Sequence, residues 1–443
     1  MIEEVSREKW VSIYSFLALD IIQILLVSLL YIDESTAFVV GFDISRTNLL
    51  SALAFFAVVA LLQITLLYIT AFQALQKPDL VQLHPKFNRP EVYNCRFSRE
   101  KIVSWTQDLA KRSAVEVDKI YLMNSALPNA FTFSLPLMGS VVVVHTNTLD
   151  VLNEDEVKAI IAHELGHIKN KDSIVQILAR VPSFFIDLIY LYIYLRLVLA
   201  VVNALVVSGD VSLALVRLEV LLAFFILSRL LTVVAKLFVR RASRAAELLS
   251  DYHAASIVGQ ESTINALIRL GQRVEAITVL IDEIKWLESL NPERSGPISG
   301  QELMRMITQY PLDGIDEANA RDVAPWVFLS TRLRNMREVY GVRLDDDQIH
   351  EVVEPALPEL RKRRSDIKPV SETTRDLQIV DWRKFDYDRN RRLSSEEIDS
   401  LLKKLRENPQ KMMFDREVGV NLLTLDHPDF RRRVLFIADE FGM

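Results

Sequence analysis

The sequence predicts a mainly α-helical membrane protein that also contains an α+β domain with a small mixed sheet. Long apolar runs crowd the first half of the 443-residue chain, strand-like stretches lie between residues 117 and 144, and a polar helical region follows from about residue 260. Half of the residues are hydrophobic and a quarter are charged, which excludes a disordered chain. The single cysteine, Cys95, excludes a disulfide scaffold, and the net charge of −6 gives no reason to expect nucleic acid as a partner.

Four stretches are apolar enough to cross a membrane, and each exceeds the roughly 20 residues that a helix needs to do so. They are residues 11–32, 49–75, 181–208 and 211–239. The first holds one charge, Asp20, and the second holds none, whereas the last two contain several ionisable residues that we expect to face a bundle interior. Ser208-Gly209-Asp210 between them is typical of a tight turn. An alternative for the last two stretches is a pair of amphipathic helices packed on a soluble domain.

The distribution of Lys and Arg predicts the orientation of these spans. The loop at 33–48 is acidic, whereas the segment after the second span is basic and Arg240-Arg241-Ala242-Ser243-Arg244 follows the fourth. Since cytoplasmic loops carry the excess of Lys and Arg, we expect both chain ends and everything after residue 240 to be cytoplasmic. The protein would then lie in the cell membrane, with the lipid bilayer around it and any active site facing the cytoplasm.

The α+β domain can be divided into helices and strands by pattern. Residues 98–113 have helical periodicity with Ser98 as N-cap, residues 117–123 and 130–136 alternate like strands, and the valine run at 141–144 is a further strand. Asn153, followed by three acidic residues, marks the start of another helix.

That helix contains His163-Glu164-Leu165-Gly166-His167. Residues i and i+4 share one face of a helix, so both imidazoles can bind one metal ion. Glu164, beside the first histidine, can accept a proton from the attacking water of a hydrolytic reaction. A pair of surface histidines on an amphipathic helix is the alternative that the pattern leaves open.

A catalytic zinc needs a third protein ligand and an open fourth position. Two spans separate residue 168 from residue 240, so the chain returns to the same side of the membrane just before Glu247 and Asp251. Glu247 is the predicted zinc ligand, and Asp251, one turn later, is predicted to orient a histidine ligand. Asp251 itself and His253 are the competing candidates for the third ligand.

These residues resemble those of the HtpX-like membrane zinc metalloproteases, relatives of the prenyl (CAAX) endoproteases within the gluzincin group. The likeness covers about residues 95–275 and the apolar spans, and includes the histidine motif, Ser243-Arg244…Glu247…Asp251 and Pro128-Asn129-Ala130-Phe131. The resemblance implies a zincin-like protease domain with one catalytic Zn²⁺. It also implies that Val141–His145 is the edge strand of the substrate cleft, with Val142 and Val144 contacting substrate, and that Asn129 borders the cleft. For Asn129, a simple turn residue after Pro128 is the alternative.

Family members often carry His-Pro with a downstream Arg near the end of the protease domain. Two stretches compete for this role here. They are Ser330-Thr331-Arg332-Leu333-Arg334, which lacks His-Pro, and His427-Pro428…Arg433. The residue that stabilises the oxyanion therefore stays open.

Residues 386–397 resemble the calcium-binding loop of an EF-hand. Oxygen ligands occupy the expected positions, namely Asp386, Asp388, Asn390, the carbonyl of Arg392, Ser394 and Glu397. Arg391, however, stands where glycine normally allows the sharp turn, and no partner hand is visible. A helix start capped by Ser394 explains the same residues equally well.

The resulting organisation has five regions. They are two transmembrane helices (1–80), a first protease segment with the histidine motif (81–180), a transmembrane hairpin (181–240), a second protease segment with the third zinc ligand (241–275) and a helical accessory region (276–443). We expect a membrane zinc endopeptidase that cleaves misfolded or unassembled membrane proteins at the cytoplasmic face. Calcium would be a second metal if residues 386–397 form an EF-hand loop and not only a capped helix start. The alternatives are a prenyl-protein (CAAX-type) endoprotease and a non-catalytic, calcium-responsive membrane adaptor.

Overall fold

The computed structural model describes residues 1–28, 30–33, 38–42, 49–76, 80–83, 96–125, 128–136, 138–173, 181–289, 320–340, 345–358, 378–414, 417 and 428–443. The helices are α1 (Ile2–Ser28), α2 (Leu49–Leu75), α3 (Arg99–Ser113), α4 (Thr146–Val151), α5 (Glu154–Lys169), α6 (Val181–Val202), α7 (Val211–Val258), α8 (Gln260–Ser289), α9 (Ala320–Tyr340), α10 (Asp346–Val353), α11 (Ser395–Glu407) and α12 (Phe430–Phe441). The strands are β1 (Leu30–Asp33), β2 (Phe38–Phe42), β3 (Leu80–Leu83), β4 (Lys119–Met123), β5 (Ala130–Leu135) and β6 (Gly139–His145). This content confirms the predicted fold class.

The first of two compact units contains mainly residues 1–78 and 170–249. Within the described residues, three helical segments are long and apolar enough to cross a membrane. The first lies in α2, the second runs from Asp187 to Val207 and includes the π-helical turn Asn203–Val207, and the third lies in α7. They match three of the four predicted spans. The predicted span at 11–32 is not among these three. It is helical up to Ser28, residue 29 lies outside the described residues, and residues 30–32 belong to strand β1. Gly209 has a φ of +64° between α6 and α7, as the predicted turn requires.

Of the ionisable residues in the last two apolar stretches, Arg217 is buried, whereas Asp187, Glu219 and Arg229 are exposed, so the prediction that they face inward is wrong for these three. The buried groups are Arg217 and, in the first stretch, Asp20. Arg217 is buried in α7 and donates a hydrogen bond of 2.7 Å to the carbonyl of Ala200. Asp20 of α1 is also buried, and the nearby Gln23 accepts a hydrogen bond of 2.7 Å from the hydroxyl of Tyr190. Such placement avoids exposing charge to lipid, where it is costly.

The second unit contains mainly residues 79–169, 250–422 and 428–443. Its sheet has the strand order β3-β4-β6-β5, in which β4 and β6 are parallel and the other two pairs are antiparallel. Helices α3 and α5 share an apolar core with the sheet, and α3 begins as predicted, because Ser98 accepts a hydrogen bond from the backbone of Lys101. The small mixed sheet with its adjoining helix is therefore confirmed.

The prediction that Val141–His145 is the edge strand is wrong. Among the described strands, β6 lies between β4 and β5, so β5 and not β6 is the edge strand on this side of the sheet. Val142 and Val144 are 0 % exposed and cannot contact substrate as predicted. Four successive valines without polar alternation are typical of a strand that is buried on both faces, and this signal outweighs the resemblance.

The C-terminal helices pack on α8 through a second apolar core. Side chains on both sides of the EF-hand-like loop contribute to this core, namely Trp382, Ile398, Leu401 and Leu402. Asn265 of α8 fixes the middle of this loop, because its side-chain amide accepts from the N–H of Leu393 at 2.7 Å and donates to the carbonyl of Leu393 at 2.8 Å.

Candidate metal centre

Helix α5 begins at the predicted cap. The Asn153 side chain accepts a hydrogen bond of 2.9 Å from the N–H of Glu156, and the Glu156 carboxylate accepts one of 2.9 Å from the N–H of Asn153. This reciprocal cap fixes the first turn of the helix. Burial raises the pKa of Glu156 above its ordinary value, against the opposing effect of the hydrogen bond from Asn153.

One turn separates the two histidines of α5, and both are buried. Their Nε2 atoms lie 3.1 Å apart, and the two rings are nearly perpendicular. The Nδ1 atoms lie on the other side of each ring. Nδ1 of His163 is 2.9 Å from the Asp251 carboxylate, and Nδ1 of His167 is 3.0 Å from the Ser250 hydroxyl. Each imidazole therefore has one nitrogen engaged by the protein and turns the other towards a shared point.

Glu247 provides the third group at that point. One nitrogen of each histidine and one carboxylate oxygen of Glu247 all lie within 4.8 Å of one another, and all three side chains are buried. Glu247 belongs to the same helix as Ser250 and Asp251, one turn before them. The structure thus brings together the two histidines and the preferred third ligand of the sequence prediction.

The competing candidates for the third ligand have other roles in this geometry. Asp251 accepts from the Nδ1–H of His163, as predicted for a residue that orients a ligand. His253 is buried, and its Nε2 lies 2.9 Å from the hydroxyl of Ser113. Sequence reasoning missed Ser250. Its spacing of three residues from Glu247, on the same helix face, is the signal that points to it.

Arg433 of α12 completes the surroundings of Asp251. Its guanidinium donates two hydrogen bonds to the Asp251 carboxylate, of 2.7 Å and 2.6 Å. Of the two competing arginine stretches, the structure therefore brings the second one to the metal centre, although His427 lies outside the described residues. In the first stretch, Ser330 and Thr331 are buried in α9.

The donor set fits zinc. Two histidine nitrogens and one carboxylate oxygen form a usual ligand set of catalytic zinc sites. Two nitrogens that share a tetrahedral zinc at normal bond lengths lie about 3.3 Å apart, close to the observed separation of 3.1 Å. Residues His163, His167 and Glu247 would hold the ion, and Glu164, 6 % exposed, follows His163 in the same helix.

Gly166 allows α5 and α7 to approach each other at this centre. A Cβ atom at this position would lie 2.9 Å from the Cα of Ser250 and 3.2 Å from the Cβ of His253. Because one of these contacts is to backbone, a larger residue must push the two helices apart.

We expect Gly166→Ala to destabilise the fold by about 1–3 kcal/mol, the usual cost of overpacking, and to weaken metal retention. Differential scanning calorimetry and zinc content after dialysis measure the two effects. Lys158→Ala, on a more exposed stretch of α5, is the control. It should lose only its ion pairs with Glu154 and Asp155 and its cation–π contact with Trp105. A Gly166→Ala protein with the melting temperature and zinc content of wild type would contradict the close-contact argument.

Asn129 lies at the start of the edge strand β5. Its side chain is exposed, while its carbonyl accepts hydrogen bonds from the N–H of His145 at 3.0 Å and from the hydroxyl of Thr148 at 2.8 Å. Strand β5 packs against α5, which carries the two histidines. The position is compatible with the predicted place beside a cleft, and the role of Asn129 stays a prediction.

The EF-hand-like loop brings three of its six predicted ligands together. Carboxylate oxygens of Asp386, Asp388 and Glu397 lie within 4.8 Å of one another. Arg391 adopts the left-handed φ of +65° that glycine usually supplies in such loops. The alternative explanation is also realised, because Ser394 and Glu397 form a capping box at the start of α11.

Comparison with known proteins gives a family match for about half of the chain, at residues 98–308. Residues 98–308 match Peptidase family M48, a segment that includes both histidines and Glu247 but ends before Arg433. Curated relatives include proteins named Protease HtpX homolog. The one from Sulfurihydrogenibium sp. is 29% identical over 211 residues, which cover 46% of this chain and 68% of that protein.

Two further relatives carry the same name. The one from Methylacidiphilum infernorum is 26% identical over 224 residues, 48% of this chain and 68% of that protein. The one from Aeropyrum pernix is 38% identical over 84 residues, so the match spans 19% of this chain and about a quarter (26%) of that protein. Among solved structures, "Crystal Structure of S. mikatae Ste24p" matches 48% of this chain and 51% of that chain, with 19% identity and a TM-score of 0.30.

Proposed function

We propose that this chain is a zinc-dependent membrane endopeptidase, because residues 98–308 match Peptidase family M48 and curated relatives are named Protease HtpX homolog. Its substrates would be misfolded or unassembled membrane proteins. The observation that carries the proposal is the convergence of His163, His167 and Glu247 on one point. The adjacent Glu164 supplies the proton-transfer group that hydrolysis needs.

The roles of the chain's own residues follow from their contacts. When bound, zinc supplies a Lewis acid that polarises the scissile carbonyl and acidifies the attacking water. Glu164 accepts the proton of that water and returns it to the leaving amine. Asp251 accepts the Nδ1–H of His163, and the Ser250 hydroxyl lies 3.0 Å from Nδ1 of His167. These contacts would keep the Nε2 atom of each ring directed at the point shared with Glu247, where the residues would hold zinc.

The edge strand β5 supports a preference for unfolded substrates. A free strand edge can bind an extended peptide through main-chain hydrogen bonds, which depend little on the peptide sequence. Because β5, and not β6, is the edge strand of the sheet that the structure describes, residues 130–135 replace Val142 and Val144 in the proposed substrate contact. Asn129, exposed at the start of β5, would border the bound peptide.

The cytoplasmic orientation of the active site also belongs to the proposal. It is supported by the basic residues that follow the second and fourth predicted spans, since cytoplasmic loops carry such an excess. The partners would accordingly be the lipid bilayer and protein substrates that become accessible at the cytoplasmic face.

Metal removal tests the proposed activity. Purified full-length protein should cleave an unfolded membrane protein, lose this activity in a strong zinc chelator, and regain it when one equivalent of zinc is returned. Glu247→Ala should lose zinc as well as cleavage, because only two protein ligands remain. Cleavage that continues in zinc-free protein would reject the proposed mechanism.

The same assay, run with a prenylated peptide that ends in a CAAX sequence, distinguishes the proposed endopeptidase from a prenyl-protein endoprotease. We expect no preference for it over an unprenylated control peptide. A large preference would favour the prenyl-protein endoprotease, and zinc binding without any cleavage would favour the adaptor.

For the loop at 386–397 we propose calcium as a second metal, supported by the three converging carboxylates. Arg389, Arg391 and Arg392 oppose a cation there by their charge. Titration calorimetry with CaCl₂ on zinc-loaded protein should show saturable heat that disappears in Asp386→Asn/Asp388→Asn, with MgCl₂ as the control titrant. Equal heats for wild type and variant would reject the calcium site and leave the capped helix as the explanation.

A further inference from the structure

Lys9, near the amino terminus, has one of the largest fully buried side chains among the described residues. Its ammonium lies 2.6 Å from Asp172 Oδ1, and both side chains are 1 % exposed. The same ammonium donates a hydrogen bond of 2.8 Å to the carbonyl of Asn170. Helix α1 is thereby fixed to the segment 170–172 by a buried charge pair and a hydrogen bond.

The segment 170–172 directly follows α5, which ends at Lys169. His167, a proposed zinc ligand, lies three residues before Asn170, which is less than one helical turn. Lys171 has a left-handed φ of +58°, so the chain leaves the helix axis there. The last carbonyls of a helix lack intrahelical partners and form the negative end of its dipole. A cation that binds a carbonyl just beyond this end therefore stabilises both the end and its direction.

Stability alone is a poor explanation for such a pair. Desolvation of two charges costs about as much free energy as their attraction returns, and apolar residues of the same size often replace a buried pair without loss. What apolar residues cannot supply is a directional hydrogen-bond donor to the Asn170 carbonyl. Lys9 is thus suited to fix the position of a particular backbone group.

We propose that Lys9 is a positioning residue for the metal centre, which acts by holding the carboxyl end of α5 and with it the imidazole of His167. This inference rests on the proposed zinc peptidase function. Lys9 contacts neither metal nor substrate, so its loss should act on the geometry of the ligands. It should change zinc release and kcat, and leave KM nearly unchanged.

The test compares four variants of the full-length protein in detergent. Lys9→Met should release zinc to a chelator about tenfold faster than wild type, the scale of effects seen when groups that orient metal ligands are lost. Its kcat should fall by a similar factor. Lys9→Arg, which keeps the charge and the donors, should recover most of both. Glu8→Gln, the matched control, breaks the more exposed pair with Arg241 on the same helix and should resemble wild type.

The fourth variant distinguishes positioning from stability. Lys9→Met/Asp172→Asn also removes the buried negative charge that Lys9 neutralises, so its melting temperature should return towards wild type. The Asn170 carbonyl still lacks its donor, so zinc release should stay fast. Recovery of both melting temperature and zinc retention would show a structural role only and overturn the proposal, as would a normal release rate in Lys9→Met.

Zinc release can be measured without a substrate. A wild-type protein that binds zinc but cleaves nothing would therefore reject the proposed peptidase, while the zinc release rates of the variants would still decide the role of Lys9.

Discussion

Glu164→Gln is expected to lower kcat for protein cleavage by about 10²- to 10⁴-fold, the range that general acid–base catalysis contributes. Glutamine has the same shape as glutamate but cannot accept the proton of the attacking water. The zinc ligands are unchanged, so zinc content and melting temperature should equal those of wild type. Cleavage rates of an unfolded membrane substrate, with metal analysis of the same samples, measure the effect.

Glu154→Gln is the matched control for this prediction. Glu154 lies in the first turn of α5, is more exposed, and makes only surface ion pairs, with Lys158 and Lys101. Its loss should leave kcat within about twofold, because exposed ion pairs contribute little free energy. A Glu164→Gln protein that keeps full zinc and full activity would remove Glu164 from the mechanism and require another proton acceptor.

Arg433→Leu is expected to destabilise the fold by about 3–5 kcal/mol, the usual cost of removing one partner of a buried ion pair. The Asp251 carboxylate would stay buried without the two hydrogen bonds of 2.6 Å and 2.7 Å that now balance its charge. Because Asp251 also orients His163, zinc affinity should fall as well. Thermal unfolding and chelator competition measure the two effects.

Two further variants sharpen this prediction. Arg433→Lys keeps the charge but not the paired donors, so its stability should lie between wild type and Arg433→Leu. Arg432→Leu is the control, since Arg432 is exposed and only its backbone N–H takes part in the cap of α12, at Asp429. If Arg433→Leu and Arg432→Leu lower the free energy of unfolding equally, the ion pair between Arg433 and Asp251 does not stabilise the fold as expected.

The interior position of β6 contradicts the family resemblance, which implied an edge strand, but agrees with the residue pattern of the strand itself. The run Val141–Val144 has no polar alternation, and such a run predicts a strand covered on both faces. The family likeness placed the same residues at the substrate cleft. Sheet order depends on contacts between distant segments, and the structure assigns the edge to β5.

The amino-acid sequence was sufficient for those features of the metal centre that depend on local geometry. The cap at Asn153 and the histidine pair follow from hydrogen bonds and helical spacing within a few residues, so no knowledge of the fold is needed. Glu247 and Asp251 could be predicted because their separation of four residues identifies one helix face. The apolar helices followed from the length and composition of each run.

The folded chain was needed to show which distant groups meet these residues. Arg433 lies 182 residues after Asp251, and Lys9 lies 163 residues before Asp172. The periodicity of a segment contains no information about such pairs, because the free energy of each comes from burying two charges together once the chain has folded. The local pattern thus predicted the three side chains that converge, and only the folded structure showed which remote groups contact the residues around them.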